Sequence, residues 1–217
     1  MPNKGRAMFM VFVDLSDDRY EEEFNAWYNT EHLPELLSLP GVLDGARYVA
    51  VTGGPKYLAM YELESLHAMK TQEFTSRTPT PWGRRVTPSV IGKNRTRVVG
   101  EQIFPDRLEK ADRGMAPTLQ IGRMSVPPGP EAEWNAWYNG EYILGQRAVP
   151  GVIYARRFKV VEGEVGYTTV YELESEQVPE SPEWGRQRQS FSPQSKQMFG
   201  VMTHTAGSPG VYRRIDP

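Results

Sequence analysis

The 217-residue chain has no cysteine. This excludes disulfides, thiolate metal sites and a cysteine nucleophile, and it suits a reducing compartment. No apolar run approaches the roughly 20 residues of a membrane span. The stretch Ala7 to Val13 is too short for a signal-peptide core with its cleavage site, so a cytoplasmic location is expected. An excess of one charge is also lacking: 25 Lys and Arg face 27 Asp and Glu, for a net charge of -2. With both signs interspersed, there is neither a basic stripe for nucleic acid nor an acidic tail. A glycine-rich phosphate loop, a dinucleotide fingerprint and a nucleophile elbow are missing too. Histidine is scarce, with only His32, His67 and His204. No two lie at ligand spacing, so no metal site is expected.

What the chain does contain is itself, twice. Residues 21–65 align without a gap to residues 131–175, with 20 of 45 positions identical. Ordinary residue usage would give about two or three. Asn25-Ala26-Trp27-Tyr28-Asn29 returns as Asn135-Ala136-Trp137-Tyr138-Asn139, and Pro40-Gly41-Val42 as Pro150-Gly151-Val152. The repeat acts as an internal control. A residue kept in both copies serves the fold or a shared role, and a residue in one copy alone marks a site that only that copy carries.

The local patterns give the same element order in each half. Ala7 to Leu15 reads as a buried strand. Asp17 and Asp18 supply a cap for a helix over Arg19 to Leu37, whose Tyr20, Phe24 and Trp27 make one apolar face. Pro34 predicts a kink or a second short helix. Val42 to Thr52 and Tyr57 to Leu63 read as a hairpin about Gly53-Gly54-Pro55. A weaker helix over Ser65 to Thr75 and a strand between Ile91 and Phe104 follow. The second half repeats this with strands at Leu119 to Val126, Gly151 to Val161 and Tyr167 to Leu173, a helix over Gly129 to Ala148, helix fragments around Trp184 to Met198, and a strand after Val201. The order β-α-β-β-α-β is the ferredoxin-like split motif. One such unit leaves a sheet face bare, and the second copy can cover it. The expected fold is α+β: two tandem ferredoxin-like repeats, residues 1–108 and 109–217, joined by a linker within Pro105 to Pro117. Their four-stranded antiparallel sheets pack face to face as an intramolecular α+β barrel.

His32 is the most informative polar residue. Helical spacing places it next to Tyr28, four residues back, and near Asn25, seven back. An imidazole at the edge of a buried face can move protons near neutrality; the structural alternative is a ring satisfied by a backbone carbonyl. Tyr142 replaces it in the second copy, and Pro34 and Glu35 become Leu144 and Gly145, which points to the first half as the working half. Glu31 and Arg47 recur as Glu141 and Arg157, and structural ion pairs Glu31–Arg47 and Glu141–Arg157 are expected. His67 is expected in solvent and His204 near the second copy's cleft. Trp82 and Trp184 sit in similar loops that either close over a ligand or pack the core.

Phe24, Trp27-Tyr28, Glu31-His32-Leu33-Pro34, Leu39-Pro40-Gly41-Val42 and Arg47-Tyr48 resemble the EthD-like family of the dimeric α+β barrel superfamily. The likeness covers residues 20–50, and more weakly 130–160, where the histidine is missing. It implies a cleft between helix and sheet for small apolar, aromatic or polyketide-like molecules, with His32 at the position of the family's histidine. The expected function is a cofactor-independent lyase, cyclase or isomerase. His32 is the general acid/base with Tyr28 beside it, and Asn25, Tyr48, Trp82, Tyr142 and His204 are candidates for substrate contact. The alternatives are a non-catalytic binding protein and a haem-dependent oxidoreductase with His32 or His204 as ligand. The expected partner is a small molecule, with neither nucleic acid nor membrane, and a homodimer of the fused pair remains open.

Overall fold

Strand β1 (Ala7–Leu15) pairs antiparallel with β3 (Tyr57–Leu63) and β4 (Gly92–Phe104), and its side chains are buried on both faces, Met8, Met10 and Phe12 on one and Ala7, Phe9 and Val13 on the other. β2 (Val42–Thr52) pairs with β3, giving the order β4-β1-β3-β2. The computed structural model describes residues 4–108, 114–189 and 192–215. In the second half β5 (Thr118–Ser125), β6 (Val152–Glu162), β7 (Tyr167–Leu173) and β9 (Gly210–Arg214) follow the order β9-β5-β7-β6. A two-residue strand, β8 (Thr203–His204), lies against the end of β5.

The sequence suggested two four-stranded sheets packed face to face as an intramolecular α+β barrel, and the structure has the barrel, with the two sheets hydrogen-bonded into one. The sheets join at both edges: β4 pairs with β6 and β2 with β9. The result is a closed eight-stranded antiparallel barrel. Closure supplies hydrogen-bond partners to four strand edges that face-to-face packing would leave bare. Residues 109–113, which include part of the expected linker and the start of the second expected domain, lie outside the described ones.

Alternation along the strands sorts the core into three parts. Met8, Met10, Phe12, Leu58, Met60 and Tyr48 point into the barrel, where they meet Leu119, Ile121, Phe158, Val170 and Tyr212. Phe9, Tyr57 and Tyr61 point outward beneath the first helix with Phe24 and Trp27. Tyr167 and Tyr171 do the same beneath the second with Trp134 and Trp137. Four buried charges close one end of the barrel. Arg156 donates to both carboxylate oxygens of Glu62, and Lys4 Nζ lies 2.8 Å from Glu172 and 3.6 Å from Glu62.

The helix expected over Arg19 to Leu37 is one continuous helix in three parts: α over Glu21–Trp27, π over Tyr28–His32 and α over Leu33–Leu37. The second half repeats all three at the matching positions, Glu131–Trp137, Tyr138–Tyr142 and Ile143–Arg147. Pro34 does not cause the π-turn, because the second copy has the same turn with Leu144 in its place. Gly41 (φ 79°) and Gly151 (φ 88°) start the following strands, and a Cβ there would meet Ala68 at 2.8 Å or Val178 at 2.6 Å. That close approach explains why Pro-Gly-Val recurs. The weaker helix after β3 is a 3-10 turn, Leu66–Lys70, and one α-turn, Gln72–Thr75. Among the described residues no helix is long and apolar enough to cross a membrane.

Candidate functional site

The π-turn determines where His32 points. It amounts to one inserted residue, and one residue of α-helix is a rotation of about 100°. His32 therefore takes the angular place of a residue four after Trp27, and its ring stacks on Trp27 at 4.5 Å with planes 17° apart. Its edge meets Tyr28 at 4.9 Å. Asn25 lies on the other flank, where its side-chain carbonyl accepts from Arg47 Nη2 at 2.7 Å and Asn29 accepts from Nη1 at 2.9 Å. The expected grouping of His32, Tyr28 and Asn25 is thus divided by the helix.

Tyr28 is buried, only 3% exposed, with Arg47 stacked over its ring at 4.5 Å. Burial raises its phenol pKa, opposed in part by Arg47. This places it as packing between His32 and the sheet rather than as a substrate contact. Asn25 does border open space, a cleft of about 310 Å³ shared with Asn29, Arg47, Val49 and Tyr57. In the second half Lys159 stands in place of Val49 and bonds to Glu131 and Tyr167 at the same entrance.

The expected Glu31–Arg47 and Glu141–Arg157 pairs do not form. Glu31 Oε1 accepts from Trp27 Nε1 at 2.7 Å and Thr80 Oγ1 at 2.6 Å, and Glu141 accepts from Ser192 and Ser195. Arg157 turns to Asn135 and Asn139, as Arg47 does to Asn25 and Asn29. The reason is again the π-turn, which swings each glutamate away from the β-strand arginine. Aromatic rings and amide oxygens then hold the guanidinium. Burial lowers the Arg157 pKa to about 10.

Beside His32 the structure adds a residue that the sequence left unassigned. Glu35 Oε2 lies 3.5 Å from His32 Nδ1 and 3.8 Å from Arg77 Nη1. The hydrogen bond with His32, then Arg77, holds the Glu35 carboxyl below its usual range against the opposing effect of burial. Arg77 rests over the Phe74 ring at 4.5 Å, and Phe74 lines a cleft of about 570 Å³ with Leu66, Met69 and Val99 and with the charged Lys70, Arg97 and Glu162. The second half keeps the stack but not the proton chemistry. Tyr142 lies on Trp137 at 5.4 Å and 16° and meets Tyr138 edge-on at 4.8 Å. Gly145 stands where the first half has Glu35, and a Cβ there would meet the Gln187 amide at 2.6 Å. The mismatch of Glu35 with Gly145 in the aligned copies marked the first half as the working half, but it gave Glu35 no role beside His32.

The other candidates are scattered. Tyr48 is inside the barrel, donating to the Ala116 carbonyl at 3.0 Å, and the sheet separates it from His32. Trp82 packs beside the first helix with Nε1 on Glu23 at 3.1 Å, while Trp184 is buried against Tyr171. His204 is exposed on β8, with Nδ1 3.3 Å from Ser208 Oγ. His67 is exposed. Trp27 stacks on one face of the His32 ring and Tyr28 meets it at right angles, His204 lies on the surface, and Trp134, Trp137, Ile143, Trp184 and Met198 pack between the second helix and the sheet.

No family model matches the sequence, and no curated protein matches it. Solved structures do. A chlorite dismutase variant from Candidatus Nitrospira defluvii superposes with a TM-score of 0.62 at 12% identity, over 97% of this chain and 91% of that one. An anthrone oxidase-like protein gives 0.53 at 14% identity, over 96% and 90%. At these identities the likeness is one of fold alone: a closed eight-stranded antiparallel barrel with helices outside it, completed here within a single polypeptide.

Proposed function

We propose that the chain is a cofactor-independent enzyme that transfers protons on a small aromatic or polyketide-like molecule, with His32 as general acid/base. The reading places it with EthD-like proteins, as two ferredoxin-like repeats, residues 1–108 and 109–217, of which the first is the working half. One observation carries it: the His32–Glu35–Arg77 series occurs in one copy only, and the ring stack around it occurs in both. Glu35 keeps a proton on Nδ1 and orients the ring, which leaves Nε2 to take or give a proton. The His32 hydrogen bond, and after it Arg77, holds the Glu35 carboxyl below its usual range. Phe74, under the Arg77 guanidinium, lines a cleft whose Leu66, Met69 and Val99 side chains suit an aromatic ring. The reaction class is lyase, cyclase or isomerase.

The parallel stacking of both His32 and Tyr142 on the preceding tryptophan favours a second reading, in which the rings only support a non-catalytic binding cleft. Incubation with a panel of hydroxylated aromatic ketones, followed by mass spectrometry, separates the two. Conversion that disappears in His32→Tyr supports the enzyme. Compounds that bind and are recovered unchanged support the binding protein.

A further inference from the structure

One lysine changes place between the two halves. In the second half Lys159 stands on β6, two residues after Arg157 and opposite Tyr167 on β7. Its Nζ donates to Glu131 on the second helix and to the Tyr167 hydroxyl, and lies 4.3 Å from the Tyr167 ring centroid. In the first half Val49 holds that strand position, opposite Tyr57. The lysine there is Lys56, just before β3, and its Nζ lies 2.8 Å from Glu21. Gly166 takes the place of Lys56 in the second half. Each half thus has one lysine on the same carboxylate, brought from a different position.

The exchange decides whether a cleft is open. Glu21 from the helix and Val49 from the strand both line the cleft of about 310 Å³ in the first half. Lys159 joins the counterparts of these two residues, so its side chain runs across the space that Val49 leaves clear. The polar lining is otherwise the same in both halves: Asn25, Asn29, Arg47 and Tyr57 recur as Asn135, Asn139, Arg157 and Tyr167. The ion pair is made in either arrangement, and what distinguishes the copies is access.

The open cleft presents a fixed donor. A guanidinium only donates, so Arg47 holds the side-chain oxygens of Asn25 and Asn29 towards itself and turns their amino groups away. The Asn25 side chain is hydrogen-bonded to the Tyr57 hydroxyl, as Asn135 Nδ2 is to Tyr167 at 2.8 Å. Asn29 Nδ2 has no acceptor among the described residues. Val49 and Ile215 give the same cleft apolar walls.

We propose that this cleft binds a small neutral carbonyl compound, whose oxygen accepts from Asn29 Nδ2 and whose apolar body lies against Val49 and Ile215. The volume is at the small end of ligand clefts and suits a body of about one ring. The field of the Arg47 guanidinium favours the oxygen end of a carbonyl dipole. It does not suit a carboxylate: Arg47 is 2% exposed and both its Nη atoms are held by asparagines, so an anion would exchange its hydration for one neutral N–H. His32 lies on the other flank of the helix, and the site does not depend on the reaction proposed there.

Titration of the full chain with acetophenone, followed by NMR, tests the proposal. Saturable binding should shift the Asn29 side-chain NH2 and Val49 methyl signals. Val49→Lys combined with Lys56→Gly copies the second half's arrangement and should weaken binding at least tenfold. The reciprocal Lys159→Val with Gly166→Lys should add a second set of shifts at Asn139. His32→Tyr should bind as the native chain does, and benzoate more weakly than acetophenone. Failure to saturate, shifts confined to Leu66 and Met69, undiminished binding in the folded first-half variant, or benzoate binding as tightly as acetophenone would each overturn it. Should the first-half variant not fold, the location of the shifts in the native chain decides.

Discussion

Replacing Arg156 by Met removes one of two cations from the closed end of the barrel. The side chain is 0% exposed, contacts both oxygens of Glu62, and lies 3.4 Å from Glu172. The cluster balances Lys4 and Arg156 against Glu62 and Glu172. Without Arg156, one ammonium must serve two buried carboxylates, and breaking a buried pair in this way costs about 3–5 kcal/mol. For a chain of this size that is a fall in Tm of roughly 6–20 °C. The pH dependence gives a second signature. Burial pushes the Glu62 carboxyl up, but Arg156 and Lys4 outweigh it and hold it below its usual value. In the native chain its contribution is therefore complete above the unfolded carboxylate value of about 4.3, and is lost only as pH falls through the still lower folded value. In Arg156→Met burial prevails and the folded pKa rises above the unfolded one. Stability then increases as pH is lowered from 7.5 to 5.5, whereas the native chain gains nothing from this group. Thermal and urea melts at both pH values measure this. A loss below about 1 kcal/mol, typical of an exposed pair, or a variant that weakens on acidification would refute the reasoning.

Three further outcomes are expected. Thr168→Val, which removes a buried unpartnered hydroxyl at nearly constant shape, should stabilise the chain by about 1 kcal/mol in urea unfolding. Gly53→Ala should destabilise by about 1–3 kcal/mol, because φ is 78° and the new Cβ would lie 2.4 Å from the Gly207 carbonyl oxygen. His32→Tyr should melt within a few degrees of the native chain, since Tyr142 already fills the equivalent stack on Trp137; a large loss would show that the two positions are not equivalent.

Much of the architecture was legible because strand alternation and turn residues are local signals. Tyr57–Leu63 and Tyr167–Leu173 appear at the bounds that the pattern gave, as does the turn at Gly53-Gly54-Pro55. The barrel followed from the repeat, but its seams did not, because edge pairing of β4 with β6 and of β2 with β9 joins segments that are distant in the chain and share no sequence pattern. The site was misread at one step. An α-helical wheel places His32 near Asn25, and Glu31 towards the strand arginine. The π-turn leaves no mark in residue spacing, yet it rotates everything after Tyr28 by about one residue. The repeat retained information that the wheel lost. Comparing Glu35 with Gly145 marks Glu35 as particular to the first half without any knowledge of helix geometry, and the structure supplies its contact with His32.

The proposal that His32 moves protons rests on its pairing with Glu35. The most direct measurement is turnover of a converted aromatic ketone by the native chain and by His32→Tyr, which keeps the ring stack and removes the imidazole. The account predicts a loss of about a hundredfold or more with Tm nearly unchanged, and a smaller loss with an altered pH profile for Glu35→Gln. Turnover by His32→Tyr at the native rate would contradict it.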